Sequence, residues 1–258
     1  MSFFSGRGDT FEPSELTRGP WDPDSQHAGP PAALLGRAIE QCGEPDGKHV
    51  GRVTFEILRP VPLSALTVSA RIARPGRSVE LVEASLADGD GEVMRASAWR
   101  LRMEPVELDP EPLDEPPAHG PADGKARDFF PTGADVGYHT AMEYRFVEGA
   151  FLELGPAVVW MRMRHPLVEG EEPSPLQRVL VAADSGNGVS AALDYRRYLF
   201  INTDLTVHLH RPPATEWVCL DAVTRLDPAG IGMSDTLLWD EQGRIGRGAQ
   251  TLLVRSRV

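Results

Sequence analysis

The stretch LVAADSGNGVSAALD, residues 180–194, places one carboxylate, Asp184, where an apolar run breaks into Ser, Gly and Asn. An Asp at a helix start caps it by accepting backbone N–H groups. The same carboxylate, drawn out of water, can instead accept a proton as a general base. Other chemically capable residues are sparse. Cys42 and Cys219 have no CxxC or His spacing around them and read as buried free thiols. His208 and His210 stand at i and i+2, but no further Cys/His/Asp set accompanies them. A solvated face is therefore expected there, with no metal and no cofactor. GxSxG, phosphate-loop, dinucleotide and zinc signatures are absent.

Whether Asp184 caps or reacts depends on the elements that hold it. Residues 104–127, EPVELDPEPLDEPPAHGPADGKAR, are acidic, proline-rich and poor in large apolar side chains. They predict an extended linker between residues 1–103 and 128–258. The two flanking parts repeat one another. VTFEILRPVP (53–62) matches LTVHLHRPPA (205–214), and ADGDGEVMRASAWRL (87–101) matches WDEQGRIGRGAQTLL (239–253). Arg59 with Arg211, Gly91 with Gly243 and Arg95 with Arg247 all keep an offset of 152.

Each part reads as a helix followed by strands. GPPAALLGRAIEQC is a helix with prolines in its first turn, where a missing N–H costs nothing. RVTFEIL alternates Val53, Phe55 and Ile57 against Arg52, Thr54 and Glu56, and further alternating segments continue an antiparallel meander. The second part adds two strands, GYHTAMEYRFVEG and PAVVWMRMRH, before its helix. In the repeat register Asp184 falls on Ala32, Gln250 on Ala98 and Asn202 on Val50. Duplicated units share packing needs, so polar residues confined to one copy point to a site kept on one side.

This order, a helix on a bent antiparallel sheet present twice, resembles the α+β double hotdog fold. WDPDSQHAGPPAALLGRAIEQ, RVTFEILRPVP, VLVAADSGNGVS, NTDLTVHLHRPPATEW and GRGAQTLLVR, in that order, resemble the TesB-like acyl-CoA thioesterases over nearly the whole chain. The resemblance implies hydrolysis of an acyl-CoA to free acid and CoA without a cofactor. It also implies an Asp, a Thr or Ser, and a Gln that hold and activate a water. Asp184 and Gln250 match that set. Aligned through HRP, the middle position falls on Asn202, with Thr203 beside it. Strand alternation instead gives Thr203 the parity of Leu205, Val207 and Leu209, so both stay candidates. In paired hotdogs the DSQHAGPP loop faces this site, which makes the Ala28 and Gly29 amides or the His27 side chain oxyanion candidates. Gly186 completes the substrate-binding set.

Two rival functions use other residues. Asp22, Asp24 and His27 have the rough look of the Asp…His pair of hotdog enoyl-CoA hydratases, though the Asn-Pro of that longer motif is missing. A non-catalytic acyl-CoA binding protein would keep the cavity and show no turnover.

Bulk properties narrow the partners. A net charge of −12 argues against nucleic acid and anionic membranes. No apolar run approaches the roughly 20 residues of a membrane span. The first residues, MSFFSGRGDTFEP, lack signal-peptide order, so the cytoplasm is expected. Strand edges and sheet pairing suggest a homodimer.

Overall fold

The computed structural model describes residues 1–44, 47–109 and 116–257. The first repeat contains β1 (Phe4–Arg7), β2 (Thr10–Pro13), α1 (Gly29–Gln41), β3 (Lys48–Ile57), β4 (Leu66–Arg74), β5 (Val79–Asp88) and β6 (Gly91–Arg102). The second contains α2 (Tyr138–Ala141), β7 (Met142–Glu148), β8 (Ala157–Met163), α3 (Pro175–Ala183) and α4 (Gly186–Val189). It continues with β9 (Tyr198–Asn202), β10 (Asp204–Leu209), β11 (Val218–Asp227), β12 (Ile231–Asp240) and β13 (Gly243–Ser256).

One antiparallel sheet runs through both repeats in the order β1-β2-β4-β5-β6-β3-β10-β13-β12-β11-β8-β7, with β9 pairing β13 off this path. The order is a palindrome. Each strand of one repeat has its mate at the same distance from the centre. At that centre β3 pairs β10 with Thr54 opposite Thr206, their hydroxyls 3.1 Å apart. These two residues differ by 152, so the pseudo-twofold axis passes between them. The sheet wraps α1 and α3, and apolar side chains from both repeats merge into one large core cluster. This is a double hotdog.

The helices depart from the strand register. The apolar run 180–183 is the last turn of α3, and Asp184 ends that helix instead of starting one. Pro175 stands at the first turn and the Ser174 hydroxyl accepts from the Gln177 N–H, so α3 starts early on good helix-start residues. Its first residue lies 146 positions after that of α1 (175 − 29), six short of the strand offset. Asp184 therefore does not sit opposite Ala32.

A bulge separates Asn202 from its expected parity. β3 is irregular between Val50 and Arg52, and at the matching place β9 ends at Asn202 and β10 begins at Asp204. The extra residue, Thr203, resets the alternation. Asn202 consequently turns inward, as Val50 does, and Thr203 is exposed.

The sheet edges are covered by the chain itself. Phe3 and Phe4 donate to Pro166 and Leu167 carbonyls, and Lys125 exchanges both backbone bonds with Phe146 on β7. The same contacts show that residues 116–127 dock along the second repeat, where the Trp160 indole also donates to the His119 carbonyl at 3.1 Å. Residues 110–115 lie outside the described residues. Among the described residues no helix is long and apolar enough to cross a membrane.

Candidate active site

The site begins with a close helix contact. α1 and α3 run antiparallel, and two glycines let them touch. A Cβ on Gly36 would fall 2.4 Å from Leu180 Cδ1, and one on Gly29 2.3 Å from the Val181 carbonyl. This approach sets the N-terminal end of α1 against the C-terminal end of α3, where Asp184 stands. A helix N-terminus favours a nearby anion.

Asp184 is only 5% exposed, and its carboxylate is heavily contacted. Asn202 Nδ2 donates to Oδ1 at 2.8 Å. Gln250 Nε2 donates to the Asp184 carbonyl at 3.0 Å and to Oδ1 at 3.3 Å. His27 Nδ1 lies 3.2 Å from Oδ2. Burial pushes the carboxyl up from 3.8 to about 7, opposed by Asn202, Gln250 and the Gly29 and Ala28 amides, which favour its charged form. Burial also holds His27 neutral, lowering it to about 3. The imidazole stacks on Tyr138, centroids 3.7 Å apart at 10°, and the Tyr138 hydroxyl donates to the Val181 carbonyl at 2.7 Å.

Each candidate from the sequence has a definite place. Asn202 reaches Asp184, whereas Thr203 lines the same cleft with its hydroxyl 3.4 Å from Asp204. Gln250 is 2% exposed and absent from the cleft wall. Its carbonyl accepts from the Asn187 N–H at 3.0 Å while its NH2 grips Asp184, so it clamps the carboxylate. The Gly29 N–H donates to His27 Nδ1 at 3.0 Å and, with the Ala28 N–H, favours the Asp184 anion. The Gly29 amide is thus engaged inside the site, and Ala28 lines the cleft. Gly186 does not line the cleft. A Cβ there would meet Thr236 Oγ1 at 2.5 Å, Gln250 Oε1 at 3.0 Å and Ser234 Oγ at 3.2 Å, so its role is close packing.

Asp184, His27 and Asn202 border a cleft of about 520 Å³ between the repeats. Trp21, Phe129, Phe130, Tyr144 and Phe151 line its apolar length. Asn187 lies in the same wall, and its side-chain amide has no partner among the described residues. It carries no signal in the repeat register, because the helices break that register.

The remaining features are structural. Asp24 is exposed and His27 pairs with Asp184, so the Asp24–His27 pair of the hydratase reading is not formed. His208 and His210 are exposed. Cys219 is buried, while Cys42 is half-buried. Arg59 and Arg211 hold Asp88 and Asp240 through paired guanidinium contacts, with distances of 2.9 Å and 2.8 Å among them. The shared Arg-Pro motif thus anchors the same turn twice.

No curated protein sequence matches the chain. A thioesterase II assignment from Thermobifida fusca YX superposes with a TM-score of 0.76 at 16% identity, covering 98% of this chain and 94% of that one. A conserved hot dog protein from Alicyclobacillus acidocaldarius gives 0.75 at 16% identity, covering 99% and 96%. Acyl-CoA thioesterase II TesB2 from Mycobacterium marinum gives 0.67 at 13% identity, covering 96% and 94%. At these identities the likeness establishes the fold. Family models supply the rest: the acyl-CoA thioesterase N-terminal domain matches residues 17–101 and the C-terminal domain residues 108–254. The chain therefore belongs to the acyl-CoA thioesterase family, and it is a thioester hydrolase.

Proposed function

We propose that the chain hydrolyses an acyl-CoA to free acid and CoA with a water activated through Asp184. One observation carries the reading. A buried carboxylate, clamped by two amides and pushed by burial up to about 7, borders an apolar cleft large enough for an acyl group. A base that titrates near neutral pH combines a useful ionised fraction with a useful proton affinity. Thioesters are electrophilic and thiolates leave easily, so no covalent nucleophile is required. The unpaired Asn187 amide is placed to donate to the developing oxyanion, a contribution worth about 10²–10³-fold where such donors have been removed.

Two free thiols, Cys42 and Cys219, support a reducing compartment, and we place the reaction in the cytoplasm. The test is free-thiol release from acyl-CoAs of C2 to C16 and from aryl-CoAs, with wild type and Asp184→Asn. Wild-type turnover of some member, lost in the variant, is expected. Full turnover by Asp184→Asn on every active substrate removes the Asp184 role. No turnover by wild type on any of them favours the non-catalytic binding reading.

A further inference from the structure

We propose that the proton of the attacking water goes to Nε2 of His27, with Asp184 acting on the far side of the ring as its positioning partner. The inference rests on the hydrolase reading above and replaces direct contact between water and carboxylate.

A carboxylate offers about four acceptor positions. On Asp184 these face Asn202, Gln250, His27 and the paired amides of Ala28 and Gly29. Little acceptor capacity remains for water. His27 is differently disposed. Its Nδ1 is engaged 3.2 Å from Asp184 Oδ2 and 3.0 Å from the Gly29 nitrogen. Nε2 has no partner among the described residues, and the residue lines the cleft.

Nδ1 and Oδ2 are both acceptors unless one carries a proton. When Asp184 is ionised, that proton sits on Nδ1 and is donated to Oδ2, which leaves a free lone pair on Nε2 of a residue that lines the cleft. The Gly29 N–H then serves the carboxylate. Tyr138, pinned through its hydroxyl to Val181 and Ser185, stacks on the ring and fixes its plane. Around the pair, Tyr138 of α2 and Tyr144 of β7 are neutral phenols raised by burial. On the cleft wall Arg59 is paired with Asp88, and Asp22 is held by Ser25 and the Asp24 N–H.

The step balances without a co-reactant. Nε2 takes a proton from water as the water oxygen bonds to the thioester carbon. The C–S bond then breaks, and the leaving thiolate takes the proton back from Nε2. Acid and CoA thiol are released and His27 returns to its starting tautomer.

The decisive variant is His27→Asn, whose side-chain NH2 can occupy the Nδ1 position and keep the donation to Asp184 while removing Nε2. We expect kcat to fall about 10²–10⁴-fold, the usual worth of a general base, with KM changed by less than about threefold. Imidazole added to His27→Ala should restore turnover about tenfold or more, with a pH profile following the added base. Ring ¹⁵N shifts of wild type at pH 8 should show Nδ1 protonated and Nε2 free, a readout independent of activity. Turnover by His27→Asn within about threefold of wild type, alongside a dead Asp184→Asn, would overturn the proposal and return the water to Asp184. So would a ring protonated on Nε2. Absence of thiol release by wild type on every acyl-CoA sinks the hydrolase reading itself.

Discussion

Two carboxylates occupy matching corners of the pseudo-twofold, and only one is buried and faces the cleft. Asp184 ends α3 and faces the start of α1. Glu40, in the last turn of α1, faces the start of α3, where it accepts from the Ser174 hydroxyl at 2.7 Å and Gln177 Nε2 at 3.5 Å. Glu40 is exposed; Asp184 is buried. The sheet beneath them explains the difference. In the strand register Asn202 replaces Val50, Gln250 replaces Ala98, Ser234 replaces Val82 and Thr236 replaces Ala84. The second repeat holds hydroxyls and amides where the first holds hydrocarbon. The first repeat places its polarity elsewhere. Arg100 bonds Glu80 at 2.7 Å and the Ile39 and Cys42 carbonyls at 2.9 and 2.8 Å, and Lys48 meets Glu80 at 2.9 Å. The second repeat has Leu252, Gly232 and Phe200 at those places. One frame thus carries two interiors, one that stitches a helix end and one that clamps a buried carboxylate.

The sharpest way to break this comparison is to neutralise each carboxylate. Asp184→Asn should lower kcat by about 10²–10⁴-fold in a thiol-release assay. Glu40→Gln, an exposed group outside the cleft wall, should leave kcat within about twofold by the same scale. Comparable losses in both would mean the clamp does not distinguish the corners.

The stitching network is tested on stability. Arg100→Leu copies the second repeat into the first and leaves Glu80 buried with one cation fewer and the α1 carbonyls without their donor. Breaking a buried ion pair in this way costs roughly 3–5 kcal/mol. Urea unfolding measures it, and kcat per folded molecule should hold. A variant as stable as wild type would show that hydrocarbon serves equally well at that helix end.

Much of the frame was legible because strand alternation and a fixed offset are local signals. β3 to β6 and β10 to β13 follow the apolar alternation, and the 152 offset locates the Thr54–Thr206 axis. Three things were not legible. β1 and β2 are four-residue strands, too short to show a period. The helices slide past the strand register, which misplaced Asp184 against Ala32. The bulge at Thr203 defeated parity, yet Gly51 at the matching place signals an irregular strand, and the buried Val50 gives the true facing of Asn202. Gln250 was identifiable as polar in one copy only, but its contacts to Asp184 and Asn187 depend on side-chain direction.

Restoring hydrocarbon at one clamp position should have a smaller effect than removing the base. Asn202→Val copies Val50 and deletes the 2.8 Å donor to Oδ1. Losing a donor to the charged form moves the carboxyl further up from about 7, so the rising limb of the rate-pH profile shifts to higher pH. Activity at pH 7 should drop about tenfold and recover partly at pH 9. An unshifted limb would mean that the titrating group seen in kinetics is not Asp184.

The mildest effect is on stability against pH, where the two residues of the pair oppose one another. Asp184 is raised from 3.8 to about 7 on folding, so the folded state binds its proton more tightly and stability falls as pH rises through that window. His27 is lowered from 6.5 to about 3, so the unfolded state binds its proton more tightly and stability rises with pH up to about 6.5. Between about pH 4 and 6.5 the two slopes largely cancel, each bounded by roughly 1.4 kcal/mol per pH unit. Single variants uncover them. Relative to wild type, Asp184→Asn should gain stability as pH rises across this window, and His27→Asn should lose it. Urea midpoints at half-unit pH steps read both differences. Parallel curves for all three proteins would show that neither group changes its proton affinity on folding, and the buried pair would lose its electrostatic basis.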